Sequence, residues 1–441
     1  MRLGSAATLV AMCLSCGGDD KPKSDGDADG IGSLGATETD PGVGGGDDPE
    51  PEKLDVGQPP DGPGGPGDCG SGGAGGTGND FSLIWIANSP QGTVSKIDTK
   101  TGTELARYYT GPGNGNDDPS RTSVNLGGDV AVTNRRGSIT KIAAEIERCV
   151  DLNGDGEIQT SAGPNDVLQW GTDECVLWHR HLTDVQGDNT RGPRPTAWDS
   201  GNDGNPCNVG QHRLWVGWYE PGPNQARFQR LAGTTGEVLD DVTVANWTPS
   251  NPNYGPYGGG VDRDGNLWAI GLFGILVRID AVSLDVQRWE FPTGAAPYGI
   301  AIDANGHPWT AGWNGELVHF DPDTQDFELF ATAANRLRGV QIDRDGQLWA
   351  ATNAPCGLLQ FDLATRTVVD AGIPLPGCSV PVGVSIDDDA FVWVPDQGAN
   401  RAFRVDPTSY ATQTTEGLVG PYTYSDMTGA GLGLVTHPPP A

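Results

Sequence analysis

Pro297-Tyr298-Gly299-Ile300-Ala301-Ile302-Asp303-Ala304-Asn305-Gly306-His307-Pro308-Trp309 reads as two short strands around a turn. The apolar run up to Ile302 favours extended chain, Asn305-Gly306 supplies the reversal, and Trp309 opens a second extended run. The same unit stands one period earlier as Pro256-Tyr257-Gly258-Gly259-Gly260-Val261-Asp262-Arg263-Asp264-Gly265-Asn266-Leu267-Trp268. It returns twice later, as Arg338-Gly339-Val340-Gln341-Ile342-Asp343-Arg344-Asp345-Gly346-Gln347-Leu348-Trp349 and as Pro381-Val382-Gly383-Val384-Ser385-Ile386-Asp387 on to Trp393. The tryptophans advance by 41, 40 and 44 residues, and two further β-type runs come after them, such as Leu276-Val277-Arg278-Ile279-Asp280 and Val286-Gln287-Arg288-Trp289-Glu290-Phe291. Four short strands in each forty-odd residues make one blade of a β-propeller.

Weaker copies fill the chain before Pro256. Second strands recur at Leu83-Ile84-Trp85-Ile86, Val130-Ala131-Val132 and Leu214-Trp215-Val216, with first strands near Thr122-Ser123-Val124 and Thr196-Ala197-Trp198. That gives seven second strands and six first strands. The seventh first strand is expected at Pro421-Tyr422-Thr423-Tyr424-Ser425-Asp426, where the repeat restarts and stops. It would complete the blade begun at Phe81 and remove an open sheet edge. The expected fold class is therefore all-β, a seven-bladed propeller over 81–430 closed by a C-terminal strand, with 431–441 as a tail.

The first sixteen residues read differently. Arg2, the apolar run Ala6 to Met12 and the break Leu14-Ser15-Cys16-Gly17 have the plan of a secretory signal, too short to span a membrane. Its ending resembles a bacterial lipoprotein signal, in which Cys16 is lipidated and becomes the N-terminus. Residues 17–80 carry fifteen acidic side chains against three lysines, no aromatic residue and about one-third glycine. Such a segment buries too little apolar surface to offset its ordering entropy, so a disordered tether is expected. The whole chain carries a net charge of −31, which argues against a nucleic-acid partner. The expected setting is the cell envelope, as an outer-membrane or cell-surface lipoprotein attached through its lipid, and the expected state is a monomer.

The repeat unit resembles the streptogramin (virginiamycin B) lyase-like propellers, with NHL-type and SMP-30-type propellers as broader relatives, over roughly 81–430. The resemblance implies a lyase site in which a histidine comes after the proline of a first strand and a glutamate closes a second strand. The aligned first-strand positions here are Ser120, Arg194, Tyr257, Tyr298, Arg338, Val382 and Tyr422. Second strands end at Asn88, Gly271, Gly312, Thr352 and Asp396. Neither family residue is present, so the elimination has no evident base or acid. Asp396, expected beside Asn88 across the closing blade junction, is the one catalytic candidate. The seven positions should ring one channel mouth, where Arg194, Tyr257, Tyr298, Arg338 and Tyr422, with Asn88, would suit a carboxylate, a sugar or a peptide.

Asp151-Leu152-Asn153-Gly154-Asp155-Gly156-Glu157-Ile158-Gln159 matches the first nine places of an EF-hand-type loop, with oxygen ligands at places one, three and five and the turn glycine at six. Asp151, Asn153, Asp155 and Glu157 are the expected calcium ligands. Ala162 stands at place twelve, so Asp166, Asp173 or Glu174 would supply the missing acid. The loop lies in an insertion, 143–175, bracketed by Cys149 and Cys175. In propellers of this type the loop holding Cys356 and the crossover holding Cys378 emerge on one face, which implies a second disulfide. Cys69 and Cys207 remain. The 12 residues from Cys69 to Phe81 reach about 40 Å, so that pair is feasible among the fifteen pairings six cysteines allow. His179 and His181 alternate on a strand, but two ligands do not make a zinc site. The expected function is an extracytoplasmic binding or scaffold propeller for a protein, glycan or small anion. The alternative is a lyase or hydrolase with an unidentified acid–base pair.

Overall fold

The structure is a computed structural model that describes residues 82–184, 191–200, 209–247 and 255–439. The expected signal, Cys16, the 17–80 tether, Cys69 and Cys207 lie outside the described residues. The described chain forms seven antiparallel sheets whose strands succeed one another in sequence order. Blade 1 holds Leu83–Asn88, Thr93–Asp98 and Glu104–Tyr109; blade 2 holds Pro119–Val124, Val130–Asn134, Ser138–Ile142 and Val176–His181. Blade 3 holds Thr196–Asp199, Arg213–Glu220, Gln225–Ala232 and Val238–Ala245; blade 4 holds Pro256–Val261, Leu267–Gly271, Ile275–Ile279 and Val286–Glu290. Blade 5 holds Pro297–Ile302, Pro308–Gly312, Glu316–Asp321 and Asp326–Ala331; blade 6 holds Asn335–Ile342, Gln347–Ala354, Cys356–Asp362 and Thr367–Pro374. Blade 7 holds Ser385–Ile386, Val392–Asp396, Arg401–Val405 and Thr412–Glu416. First strands of neighbouring blades touch one another, whereas fourth strands such as Val286–Glu290 are largely exposed. The molecule is a seven-bladed propeller.

The repeat unit is held by one carboxylate. Oδ1 of Asp303 accepts the backbone N–H groups of Asn305 and His307, while Oδ2 accepts Nε1–H of Trp309 at 3.1 Å. Asp262, Asp343 and Asp387 do the same for Trp268, Trp349 and Trp393 at 2.8–3.0 Å. The six-residue spacing from Asp to Trp is thus a turn and a core anchor at once. It satisfies a buried indole donor that would otherwise cost free energy. The tryptophans pack between blades as expected, each at most 2% exposed.

Blade 1 has three strands of its own. Its fourth comes from the C-terminus: Asn88 bridges Pro421, Tyr422 N–H donates to the Ala87 carbonyl, and Trp85 N–H donates to that of Met427, both at 2.9 Å. The ring is closed as the repeat count requires. Beyond the closing strand the chain forms a packed helix where a tail was expected. Asp426 accepts N–H groups of Thr428, Gly429 and Leu432 and so caps the helix Ala430–Thr436, whose Leu432, Leu434 and Val435 are buried. The apolar pattern is too short for sequence periodicity to have marked it as a helix.

The insertion 143–175 is also docked rather than free. Gly163 forms a parallel bridge with Ala106 of blade 1, Lys96 donates to the Ala144 carbonyl, and Arg148 pairs with buried Asp129 at 2.8 Å. Cys149–Cys175 closes its base, and Cys356–Cys378 ties blade 6 to the crossover into blade 7. Bonds of this kind form in oxidising compartments, and the protein is extracytoplasmic.

Candidate functional site

The site is built by β-bulges. In blades 2, 4 and 5 the ladder between first and second strands skips one residue after the leading proline, so Ser120, Tyr257 and Tyr298 have no partner across the sheet. In blade 6 the ladder skips from Leu337 to Val340, releasing Arg338. A bulge turns a side chain out of the ladder plane, and in blades 4, 5 and 6 the released residue joins the cluster described next. Tyr257 Oη–H donates to Tyr298 Oη at 2.9 Å, Tyr298 and Tyr424 hydroxyls lie 2.6 Å apart, and Tyr422 stands 3.4 Å from Tyr257. Arg338 donates to Tyr298 Oη at 3.3 Å and to Asn353 Oδ1 at 2.6 Å.

Four guanidinium groups face this tyrosine cluster. Arg121 lies 3.8 Å from the Tyr424 ring centre and 4.8 Å from that of Tyr257. Arg135 lies over Tyr422 at 4.9 Å, Arg194 over Tyr257 at 5.1 Å, and Arg338 over Tyr298 at 5.5 Å. Burial alone would push the Tyr422 hydroxyl up, but the charges of Arg194, Arg135, Arg121 and Arg338 outweigh it and bring it down to about 7. Tyr257, Tyr298 and Tyr424 are pushed up, first by burial and then by neighbouring phenols, and stay protonated. The arrangement is one ionisable phenol inside a ring of positive charge.

The structure brings Arg194, Tyr257, Tyr298, Arg338 and Tyr422 together. It shows a filled mouth where an open cup was expected, because Tyr257, Tyr298 and Tyr424 are buried. Beneath them the channel narrows to a cavity of about 50 Å³ between Ser123, Gly260 and Leu432. Tyr424, Arg121, Arg135 and Trp313 escaped the sequence reading. Arg121 comes one residue after the aligned Ser120 and keeps Thr133 as its ladder partner, so in blade 2 the residue that reaches the rings is shifted by one from the aligned position. Tyr424 stands two residues after Tyr422, the period-2 signal that would have found it.

Asn88 and Asp396 are not part of this cluster. Asn88 is buried, donates to Ser95 Oγ at 2.8 Å and accepts Val419 N–H at 2.9 Å. Asp396 accepts N–H groups of Ser379 and Val380 at 2.7 and 2.8 Å, and of Gly398 and Ala399 at 3.0 Å. Both end a second strand and fasten the crossover arriving from the preceding blade. A carboxylate holding four backbone donors is a loop anchor with little capacity left for proton transfer.

In the insertion, Asp151 accepts Gly154 and Gly156 N–H groups at 2.6 and 2.9 Å, while Asn153 and Asp155 accept those of Asp155 and Glu157. Glu174, rather than Asp166, reaches back into the loop, accepting Leu152 and Gln159 N–H groups at 2.8 and 2.7 Å. Gly154 and Gly156 take φ of 74° and 87°, conformations glycine adopts without steric cost. The donor set that fits a calcium ion is Asp151, Asn153, Asp155, the Glu157 carbonyl and Glu174. His179 and His181 go separate ways, to Thr140 Oγ1 at 2.9 Å and Asp184 at 3.0 Å. Among the described residues a different group, Asp303, His307 and His319, brings three ligand atoms within 4.8 Å of one another.

No protein-family model and no curated protein sequence matches the chain. Solved structures do. The similarity is to streptogramin lyases and AztD. Virginiamycin B lyase from Staphylococcus aureus is 14% identical, with 71% of this chain and 92% of the lyase covered and a TM-score of 0.48. AztD from Citrobacter koseri is 10% identical over 78% of this chain and 97% of AztD, with a TM-score of 0.49. A Bacteroides caccae protein of unknown function is 11% identical, at 65% and 92% coverage and a TM-score of 0.44. Values of this size carry no inference about what the chain does.

Proposed function

We propose that the protein is an extracytoplasmic binding propeller whose channel mouth takes a small anionic ligand, a carboxylate first of all. The convergence of four guanidinium groups on the tyrosine cluster, in a chain of net charge −31, carries the reading. Arginine forks match carboxylates in geometry and charge, and phenols add oriented donors. Half-buried Tyr422, Arg338 and Trp313 form the approach. The rest of the reading is a lipid anchor at Cys16 holding a monomer at the outer membrane or cell surface, a calcium ion in the 151–159 loop, and a protein or glycan as the bearer of the acid. Calorimetric titration of the full chain with acetate, succinate and citrate tests it. Arg338→Gln should weaken the best of these at least tenfold, since a charge-assisted hydrogen bond contributes about 1.5–3 kcal/mol. No carboxylate binding, or binding indifferent to Arg338→Gln, sinks the proposal.

A second reading rests on Tyr422 alone. A hydroxyl brought down to about 7 is a proton acceptor at neutral pH, the group a lyase or hydrolase at this mouth would need.

A further inference from the structure

Five of the seven blades carry a cation at the third-strand position that faces the second-strand tryptophan or its equivalent. The third-strand residue across from it is Lys96 in blade 1, Arg230 in blade 3, Arg278 in blade 4 and Arg404 in blade 7, and Lys141 stands there in blade 2 opposite Ala131. Three of these cations stand by a turn carboxylate: Lys141 reaches Asp129 at 3.2 Å, Arg404 reaches Asp387 at 2.8 Å, and Arg278 stands 3.9 Å from Asp262. A buried carboxylate is costly without such a neighbour. Blade 6 carries a neutral Gln360 at that place, opposite Trp349. Blade 5 departs further. Its third-strand residue is His319, opposite Trp309, and the turn residue that is Asn266 in blade 4 and Gln347 in blade 6 is His307.

We propose that blade 5 replaces the fixed cation with a metal ion, and that Asp303, His307 and His319 form a zinc site open to an adjoining cavity. His307 Nδ1 and His319 Nε2 lie 3.0 Å apart. Two nitrogens on one tetrahedral zinc stand about 3.3 Å apart, so a small outward turn of the rings admits the ion. Asp303 Oδ1 is fixed by two backbone donors, and Oδ2 accepts only Trp309 Nε1–H, which leaves it a lone pair facing the histidines. The other ring nitrogen of His319 stands 3.9 Å from Glu328, which is itself paired with Arg366. That carboxylate is beyond hydrogen-bond distance and leaves the His319 ring free to turn. The Trp309 ring lies against His319, with centres 4.6 Å apart and planes tilted by 32°. The cavity in front measures about 340 Å³ and is bordered by Asp343, Arg344 and Arg366. It leaves the fourth position for water or for a ligand atom, the pattern of an open rather than a purely structural site. Two imidazoles and one carboxylate, with no thiolate, select zinc or its first-row neighbours over calcium and magnesium. The site lies at the opposite end of the blade 5 first strand from Tyr298, so it is independent of the channel mouth.

The test replaces each histidine by the residue that neighbouring blades carry at that place: His307→Asn after blade 4, His319→Gln after blade 6. Calorimetric titration of the full-length protein with zinc chloride should show one site in the parent, weakened at least 100-fold in either variant and unchanged in His181→Asn. Cobalt(II) should give the visible absorption of a four-coordinate ion in the parent and lose it in both variants. A parent that binds no zinc would leave His307 and His319 as a plain imidazole pair and overturn the proposal, whatever the variants do. Binding unchanged by both substitutions, or removed by His181→Asn, overturns it equally. Circular dichroism melts confirm that each variant is folded before its titration is read.

Discussion

Tyr422 and His179 show how one side chain's surroundings become a measurable pH dependence. Tyr422 loses its proton near pH 7 in the folded protein because the guanidinium charges outweigh burial. Below that pH the mouth carries an uncancelled positive charge; above it the phenolate neutralises one unit and repels an incoming anion. Carboxylate affinity should therefore fall as pH rises through about 7, and Tyr422→Phe should flatten the profile while preserving binding at pH 6. A profile that keeps its step in Tyr422→Phe assigns the titration elsewhere. For His179 the cause is reversed. Burial first, then the charge of His181, push it down to about 4, whereas an unfolded histidine titrates near 6.5. Between those values the unfolded chain holds the extra proton, so stability falls as pH drops from about 6.5 to 4 and is retained above. The group contributes on the order of 2–3 kcal/mol over that window. Urea melts across the range should lose about one proton of slope in His179→Gln, and an unchanged slope would count against the assignment.

At the scale of elements, part of the chain's acidity is architectural. Asp262, Asp303, Asp343 and Asp387 close the first hairpin of their blades, while Asp98, Asp280, Asp321, Asp362 and Asp406 accept backbone donors in the third-to-fourth-strand turns. The repeat made these turns legible in the sequence, because a period of 40-odd residues repeats the same hydrogen-bond problem and the same answer. The ring of Arg194, Tyr257, Tyr298, Arg338 and Tyr422 was legible for the same reason. The bulges were not, since a one-residue slip leaves no mark in composition, and Arg121, one place past the aligned Ser120, was missed with them. The docking of the insertion on blade 1 and the identity of Glu174 as the returning acid depend on contacts between distant segments. For that loop the expected outcome is direct. Calcium should slow proteolysis between Cys149 and Cys175, because binding stabilises only the ordered loop. Asp151→Ala should abolish the protection, and Glu174→Gln should weaken it far more than Asp166→Asn. Equal digestion in calcium and in chelator would remove calcium from the account.

The molecule as a whole depends on a closure made by residues more than three hundred positions apart. Asn88, Ala87 and Trp85 of blade 1 pair with 421–427, and Met427 is fully buried behind that pairing. Past the closing strand, Leu432, Leu434 and Val435 of Ala430–Thr436 are buried, Leu432 and Val435 in the core cluster that includes Ile300 and Ile302 and Leu434 in that of Leu337 and Leu348. The two segments make separable contributions. Ending the chain after Gly429 removes three buried aliphatic side chains, at about 2 kcal/mol each, and should lower the melting temperature while leaving a monomer. Ending it after Gly420 also removes the innermost strand of blade 1 and exposes the backbone edge of Leu83–Asn88 together with apolar Ile84 and Ile86, a template for pairing with a second chain. Light scattering on the size-exclusion eluate should show association or loss of the folded peak for this shorter chain alone. Should it run as a monomer with the parent's melting temperature, the closing strand is dispensable and the ring is held by blade-to-blade packing instead.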